Sequence, residues 1–524
     1  MSTPTSPHDT YTSPLAARNA SPEMCKIWSP RHKFTTWRKI WLAVAESQHR
    51  MSESYVGKDK FPELVSKKQI EDLRSAVQYE ITDEEFVLAA KFEQDLRHDV
   101  MAHVHCLGEQ CPDARPIIHL GCTSQDIVCN ADYVVMMNAF HQLNQKLVRV
   151  IDALGTAAKQ YVDLPTLGFT HYQPAQPVTV GRRAAGWAYD LYLARAEFGN
   201  RMFSMLPKGM KGATGTQASF LALFGGDETA VGLFEDQVVS QISSLCHPKS
   251  VRRTLNDFDG FIERGAHSDR SVDLAGQTYP RIYDTFVLAD LASIASVLHK
   301  IATDIRLLSN RKEIDEPFGK NQIGSSAMPY KRNPMKCERI CGLTRFVMNL
   351  VGNAYDTAAT QWLERTLDDS SNRRLSLPEA FLALDGALDL MHTVASGLVV
   401  NEAMVRKNLM LELPFMATEN ILMEAVKAGG DRQDLHEKIR VHSQEAGHRV
   451  KQEGLDNDLI DRLKADPDFK SIHHMLTEDQ ILNPMNFIGR SVEQTERFLK
   501  EVVEPLKERF SDELESLGSA DRGV

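Results

Sequence analysis

YVVMMNAFHQLNQKLVRVIDALGTAAKQY, residues 133–161, places Met136, Phe140, Leu143, Leu147, Val150, Leu154, Ala157 and Tyr161 at alternating steps of four and three. That spacing lines one face of a helix, and sustained over roughly four heptads it makes a seam along which a long helix packs lengthwise on others. No proline falls between Pro116 and Pro165, so nothing in the stretch removes a backbone donor.

The same rhythm recurs on either side. Val178 to Met205 is free of proline and carries Ala184, Ala188, Leu191, Phe198 and Met202, and from Val287 the series Leu291, Ile294, Leu298, Ile301, Ile305, Leu308 repeats before Pro317. The proline-free stretch Met335 to about Trp362 and the apolar run Phe381 to Val400 supply further helices, and upstream FTTWRKIWLAVAESQH aligns Phe34, Trp37, Trp41 and Val44. Helices of about 25 to 30 residues are roughly 40 Å long and suit side-by-side packing. Period-two alternation is scarce, so strands are expected to be short and peripheral. The fold class is mainly α, a long-helix bundle. Helices apolar on more than one face bury the second by self-association, so a homo-oligomer is expected.

At 524 residues the chain exceeds what one core supports, and two or three domains are expected. Residues 1 to about 15, rich in Ser, Thr and Pro, are expected to be a disordered tail. A formal charge of -11 disfavours a chain that grips a polyanion, so no nucleic-acid partner is expected. No uninterrupted apolar run reaches about 18 residues, so no membrane-spanning helix is expected. MSTPTSPHDTYTSP lacks the apolar region of a secretory signal, which leaves a cytoplasmic address. Eight cysteines without a CxxC pair read as free thiols.

Four polar, glycine-bearing segments border the helices: LGCTSQD (120–126), TLGFTHYQPAQPV (166–178), KGATGTQASF (211–220) and GSSAMPYKRNP (324–334). Each is too long and too particular for a connector, and loops on rigid helices are where catalytic groups concentrate. GSSAMPYKRNP offers two hydroxyls, the cation of Lys331, the amide of Asn333 and a glycine that permits close approach, a set able to grip a carboxylate. His171, in a loop among prolines, is a candidate general acid. In RHDVMAHVH (97–105), His98 and His105 are seven apart and would share a helix face; the order His98, His103, His105 matches no zinc spacing, and no metal is expected. ERTLDDSSNRR (364–374) gathers Arg365, Ser370, Arg373 and Arg374 with two aspartates, which suits either phosphate recognition or a local salt-bridge cluster. No GxxxxGK[ST] or strand-borne GxGxxG occurs, so a nucleotide would be held outside the common nucleotide-binding folds.

Together these segments resemble the fumarase/aspartase superfamily, whose members share GSSxMPxKxNP. RHDVMAHVH, GFTHYQPAQ, KGATGTQASF, RTLDDSSNRR and LPFMATENI (413–421) resemble its branch that cleaves succinyl-nucleotides, over nearly the whole chain. The resemblance implies a three-domain subunit, with an N-terminal helical domain at 16–122, a central bundle at 123–400 that carries the oligomer core, and a C-terminal helical domain at 401–524. It also implies a homotetramer with active sites shared between subunits, and no cofactor. The implied reaction is β-elimination of fumarate from adenylosuccinate to leave AMP, and from the succinylated carboxamide ribotide (SAICAR) to leave AICAR. By the same resemblance Ser325 is the base, His171 protonates the departing nitrogen, and Thr123, Ser124, Lys331 and Asn333 hold the charge that develops on the succinyl carboxylate. Arg18, Asn19, Arg97, His98, Asp99, Gln277, Arg339, Arg365, Ser370 and Arg374 surround the nucleotide. Asn19 stands where animal relatives carry Tyr, and Cys122 where Ala is more usual. The alternatives are another fumarate-releasing lyase, acting on argininosuccinate, aspartate or malate, or an inactive structural relative.

Overall fold

The computed structural model describes residues 10–54, 63–246 and 270–517. Most of the expected N-terminal tail, residues 1–9, lies outside the described residues, and its end runs into a π-helical turn at Leu15–Asn19. The longer elements are α1 (Pro30–Ser54), α2 (Asp99–Gln110), α3 (Ser124–Gln160), the strands β1 (Pro165–Thr170) and β2 (Gln173–Thr179), α4 (Val180–Ser204), α5 (Glu228–Cys246), α6 (Ile282–Asn310), β3 (Ile314–Asp315), α7 (Met335–Ala359), α8 (Asp369–Ser396), β4 (Val399–Val400), α9 (Glu402–Met416), α10 (Thr418–Lys427) and α11 (Arg432–His448). The class is mainly α, as the heptads imply.

Helix α3 begins nine residues before the quoted seam, because the Asp126 carboxylate accepts the Thr123 N–H at 2.8 Å and closes its first turn. The seam residues Met136, Phe140, Leu143, Leu147, Val150 and Leu154 are all fully buried. Helix α8 starts twelve residues before Phe381 and passes through Pro378 without ending. Leu377, Ala380, Phe381 and Leu384 on either side are buried, and their packing outweighs the lost donor.

The chain parts into two compact units. One comprises Met1–Leu147, Leu193–Leu298 and Gly342–Leu388. In its core Phe140 packs on Phe198 (ring centroids 4.7 Å apart) and edge-on to Phe381 (5.4 Å). Buried Asp385 of α8 pairs with Lys146 of α3 at 2.5 Å and accepts the Ser21 N–H at 2.6 Å, which pins the segment following Arg18 to α8. A side chain at Gly386 would stand 2.5 Å from the Asn19 carbonyl oxygen, so that segment lies directly on the helix backbone.

The other unit comprises Val148–Tyr192, His299–Cys341 and Asp389–Val524. Arg149 of α3 pairs with Asp389 of α8 at 2.6 Å, both buried, and the Trp187 indole donates to Asp304 at 2.7 Å. Leu409, Leu413, Ile421, Leu435, Phe469 and Leu482 form a C-terminal core that also takes in Leu167 of β1. The segment 166–178, expected as a loop, is instead most of an antiparallel hairpin, β1 with β2. Prolines concealed it. Pro174 and Pro177 break strand patterning, yet a two-stranded ribbon has free edges that need no donor.

Helix α6 is long and apolar enough to cross a membrane by length and composition alone. Charged residues interrupt it, so no uninterrupted run marks it in the sequence. Half of its most apolar stretch is buried inside the chain.

Candidate active site

In the first unit, Arg97 ends the helix Asp83–Leu96 in the left-handed conformation (φ 53°), and the chain turns directly into α2. His98 caps α2, with Nδ1 accepting the Met101 N–H at 3.3 Å. The expected shared helix face of His98 and His105 is therefore wrong: His98 precedes the helix. His103 points into the core, stacked on Phe34 at 3.9 Å, and burial lowers its pKa to about 4. Among the described residues no group of three or more His, Cys, Asp or Glu is disposed to hold a metal, and none of the eight cysteines is in a disulfide.

The turn carrying Arg97, His98 and Asp99 meets two helix starts. Asp99 accepts from Arg374 of α8 at 3.2 Å, and His98 Nε2 lies 3.4 Å from the Ser124 hydroxyl at the start of α3. Close by in the chain, Arg365 donates to the Gln277 side chain at 2.9 Å, while the Gln277 N–H donates to the Glu364 carbonyl at 3.0 Å. Arg365, Ser370 and Arg374 line a cavity of about 250 Å³ with Gln125, walled by Trp28, Phe34, Met136 and Leu377.

ERTLDDSSNRR holds a local salt-bridge cluster, and its Arg365, Arg373 and Arg374 also line the cavity. Arg373 is buried against Asp284 (2.5 Å), Asp132 (3.1 Å) and the Tyr279 hydroxyl. Burial opposes its charge, but Asp284, Tyr279 and Asp132 outweigh that and hold its pKa well above the ordinary value. Arg365 and Arg374 keep faces toward the cavity.

Lys33 escaped the sequence reading. It also lines the cavity, and its pKa is lowered by burial first, with Arg374 and Arg373 lowering it further against the opposing pull of Asp132 and Asp99. Nothing local marks it, because its neighbours come from distant segments. Arg18 is exposed in the π-helical turn, and the Asn19 amide folds back onto the Pro14 carbonyl at 2.8 Å.

In the second unit, GSSAMPYKRNP forms a loop closed on itself. The Asn333 amide donates to the Gly324 carbonyl at 2.8 Å, and a side chain at Gly324 would stand 2.2 Å from the Lys331 carbonyl oxygen. Ser325 Oγ accepts the Met328 N–H at 3.2 Å. Lys331 is exposed and makes no ion pair among the described residues. The loop is tied where α7 begins: Glu316 accepts the N–H groups of Lys336 (3.0 Å) and Cys337 (2.9 Å), while the Lys336 ammonium reaches the Pro317 carbonyl at 3.0 Å. Arg339 follows one turn into α7.

His171 and Tyr172 are the tip of the β1–β2 hairpin, both left-handed (φ 54° and 57°), and both are exposed. Two such residues match the twist of the strands they join. No hydrogen bond within the chain joins His171 to Ser325, Lys331 or Asn333.

The family described as adenylosuccinate lyase C-terminus matches residues 414–498, and the family described as lyase matches 17–223 and 274–349. Proteins named adenylosuccinate lyase are similar over almost all of their length. That of Saccharomyces cerevisiae is 44% identical over 97% of this chain and 98% of the relative, and that of Schizosaccharomyces pombe 46% over the same shares. Among solved structures, 3-carboxy-cis,cis-muconate lactonizing enzyme from Pseudomonas putida superposes with a TM-score of 0.75 at 22% identity, over 95% of this chain and 100% of that one. A fumarate lyase from Mesorhizobium gives 0.72 at 20%, over 94% and 99%, and these two speak for the fold. The chain belongs to the adenylosuccinate lyase family, within the fumarase/aspartase superfamily.

Proposed function

We propose that this chain is a carbon–nitrogen lyase that releases fumarate from adenylosuccinate to give AMP, and from SAICAR to give AICAR, in purine nucleotide synthesis. The observation that carries the reading is that a chain matching adenylosuccinate lyases almost end to end carries both a self-closed GSSAMPYKRNP loop, in one unit, and an arginine-lined cavity, in the other.

Ser325 Oγ takes the succinyl β-proton, the electron pair forms the fumarate double bond, and the C–N bond breaks with its electrons passing to nitrogen. His171 delivers a proton to that nitrogen. Removing a proton beside a carboxylate builds a second negative charge there. Lys331, Asn333, Thr123 and Ser124 supply one cation and several neutral donors to meet it. A serine base needs donors to its own alkoxide, and the Met328 N–H already points at Ser325 Oγ. Arg365, Ser370 and Arg374 take the phosphate, with Arg18, Asn19, Arg97, His98, Asp99, Gln277 and Arg339 around ribose, base and linker.

The active unit is a homotetramer with sites assembled from different subunits. Supporting this, the long helices leave large apolar side chains exposed: Tyr189 and Leu193 of α4, Ile282 of α6, Phe346 and Tyr355 of α7. The three-domain division at 16–122, 123–400 and 401–524 belongs to the same reading, supported by the C-terminal family match at 414–498. Its address is cytoplasmic, in keeping with eight cysteines outside any disulfide.

The test is release of fumarate, read by ultraviolet absorbance, from adenylosuccinate, SAICAR and argininosuccinate. Release from the first two alone is expected. Release from argininosuccinate alone contradicts the assignment.

A further inference from the structure

KGATGTQASF stands out in the sequence yet supplies none of the residues placed above. The segment from Lys208 to Gln217 is left-handed at Gly209, Gly212, Gly215 and Gln217 (φ 78°, 73°, 84° and 57°). A chain that turns so often makes no regular ladder of its own, and its backbone groups need outside partners.

Those partners are buried side chains on two helices. Asp126, fully buried in the first turn of α3, accepts with Oδ1 from the Lys208 ammonium at 2.5 Å and from the N–H groups of Lys211 and Gly212, each at 3.1 Å. Its Oδ2 accepts the Thr123 N–H at 2.8 Å. Asn130, one turn further along α3, accepts the Gly209 N–H at 3.1 Å and donates to the Gly209 carbonyl at 3.0 Å. Glu235 of α5 takes the Met210 N–H at 2.8 Å and the Lys211 ammonium at 2.9 Å.

A helix cap alone is worth about 1 kcal/mol and is satisfied by an exposed side chain. Burying a carboxylate costs several kcal/mol, which its donors must offset. Three of the four donors to Asp126 come from a segment more than eighty positions away. The Thr123–Ser124 turn and the loop from Lys208 to Gln217 are thus locked to one carboxylate. A second tie comes from the Ser219 hydroxyl, which donates to the Gly121 carbonyl at 2.7 Å. Beyond the anchors, a side chain at Gly215 would lie 1.7 Å from the Ala275 carbonyl oxygen, and one at Gly276 2.4 Å from that of Glu364. The loop therefore spans from the Thr123–Ser124 hydroxyls to the neighbours of Gln277 and Arg365.

We propose that Asp126 is a positioning residue for the elimination: it fixes the Thr123 and Ser124 hydroxyls against the glycine-rich loop, so that they face the developing dianion without rearranging. This rests on the reading of the chain as a succinyl-nucleotide lyase. Losing one preorganised donor costs about 10² to 10³ in turnover, and misplacing two falls in the same range.

Fumarate release by the unaltered protein is measured first; if that fails, the reading of function fails and not the positioning. In Asp126→Asn an amide oxygen remains while the charge and one acceptor are lost. The expected result is a fall in kcat of about thirtyfold or more, with AMP affinity by calorimetry within about threefold of the unaltered protein, because other contacts hold Arg365, Ser370 and Arg374. A kcat within about threefold of the unaltered value overturns the proposal. So does a parallel loss of AMP affinity and melting temperature, which marks a purely structural role. Should Asp126→Asn fail to fold, exposed Ser219→Ala carries the same test: kcat falls about threefold or more with AMP affinity kept, and an unaltered kcat overturns the coupling.

Discussion

Arg373 and Arg374 are adjacent in the chain and sit in opposite surroundings. Arg373 is buried in a network with Asp284, Asp132 and Tyr279, whereas the Arg374 side chain is 58% exposed beside Asp99. Arg373→Met strands the buried Asp284 carboxylate, and a loss of about 3 to 5 kcal/mol in denaturant unfolding is expected. Arg374→Met leaves the fold as stable as before and raises KM for adenylosuccinate about 10- to 100-fold, the worth of one charged hydrogen bond. If the two variants exchange these outcomes, the division between structural and binding arginine is wrong. The motif residues were legible at this scale because each loop carries its chemistry in a short string. Lys33 and Asp126 were not, since their neighbours come from segments far away in the chain.

At the scale of elements, the heptads reported the long helices to within a few residues at most ends. The misses have identifiable causes. α3 starts early through the Asp126 cap, α8 tolerates Pro378 because its flanks are buried, and the prolines around His171 hid a hairpin. His98 left its expected helix because a capping side chain looks, in sequence, like the first residue of the turn it caps. Glycines separate two kinds of loop. Gly225 is left-handed (φ 62°) with nothing within 4 Å of an added side chain, whereas Gly215 (φ 84°) faces the Ala275 carbonyl. Gly225→Ala is expected to cost about 1 kcal/mol, from backbone strain alone, and Gly215→Ala at least about 2 kcal/mol more, with loss of turnover. Equal costs, measured by chemical denaturation, contradict the interlocking of the loop with Ala275.

For the whole molecule, acid stability follows from three imidazoles. Burial is the largest cause lowering the pKa values of His103, His119 and His392 to about 4, against an unfolded value of 6.5. Between those values the unfolded chain binds more protons, so the stability these groups contribute is complete above about pH 6.5 and is lost as pH falls toward 4. At pH 5 these three groups together take up about two to three protons on unfolding. Uptake of fewer than about one, from calorimetry in buffers of different ionisation heat, contradicts this.

The homotetramer proposed above would cover the exposed apolar side chains on α4, α6 and α7, which a single chain's sequence shows only as helices apolar on more than one face. The most direct measurement is therefore made on the assembled protein: fumarate and AMP released from adenylosuccinate by the unaltered chain and by Ser325→Ala. Equimolar fumarate and AMP are expected from the first. From the second, AMP binding should persist with turnover lowered by at least about 10²-fold. No fumarate from the unaltered chain, or undiminished release by Ser325→Ala, would contradict elimination by this serine loop.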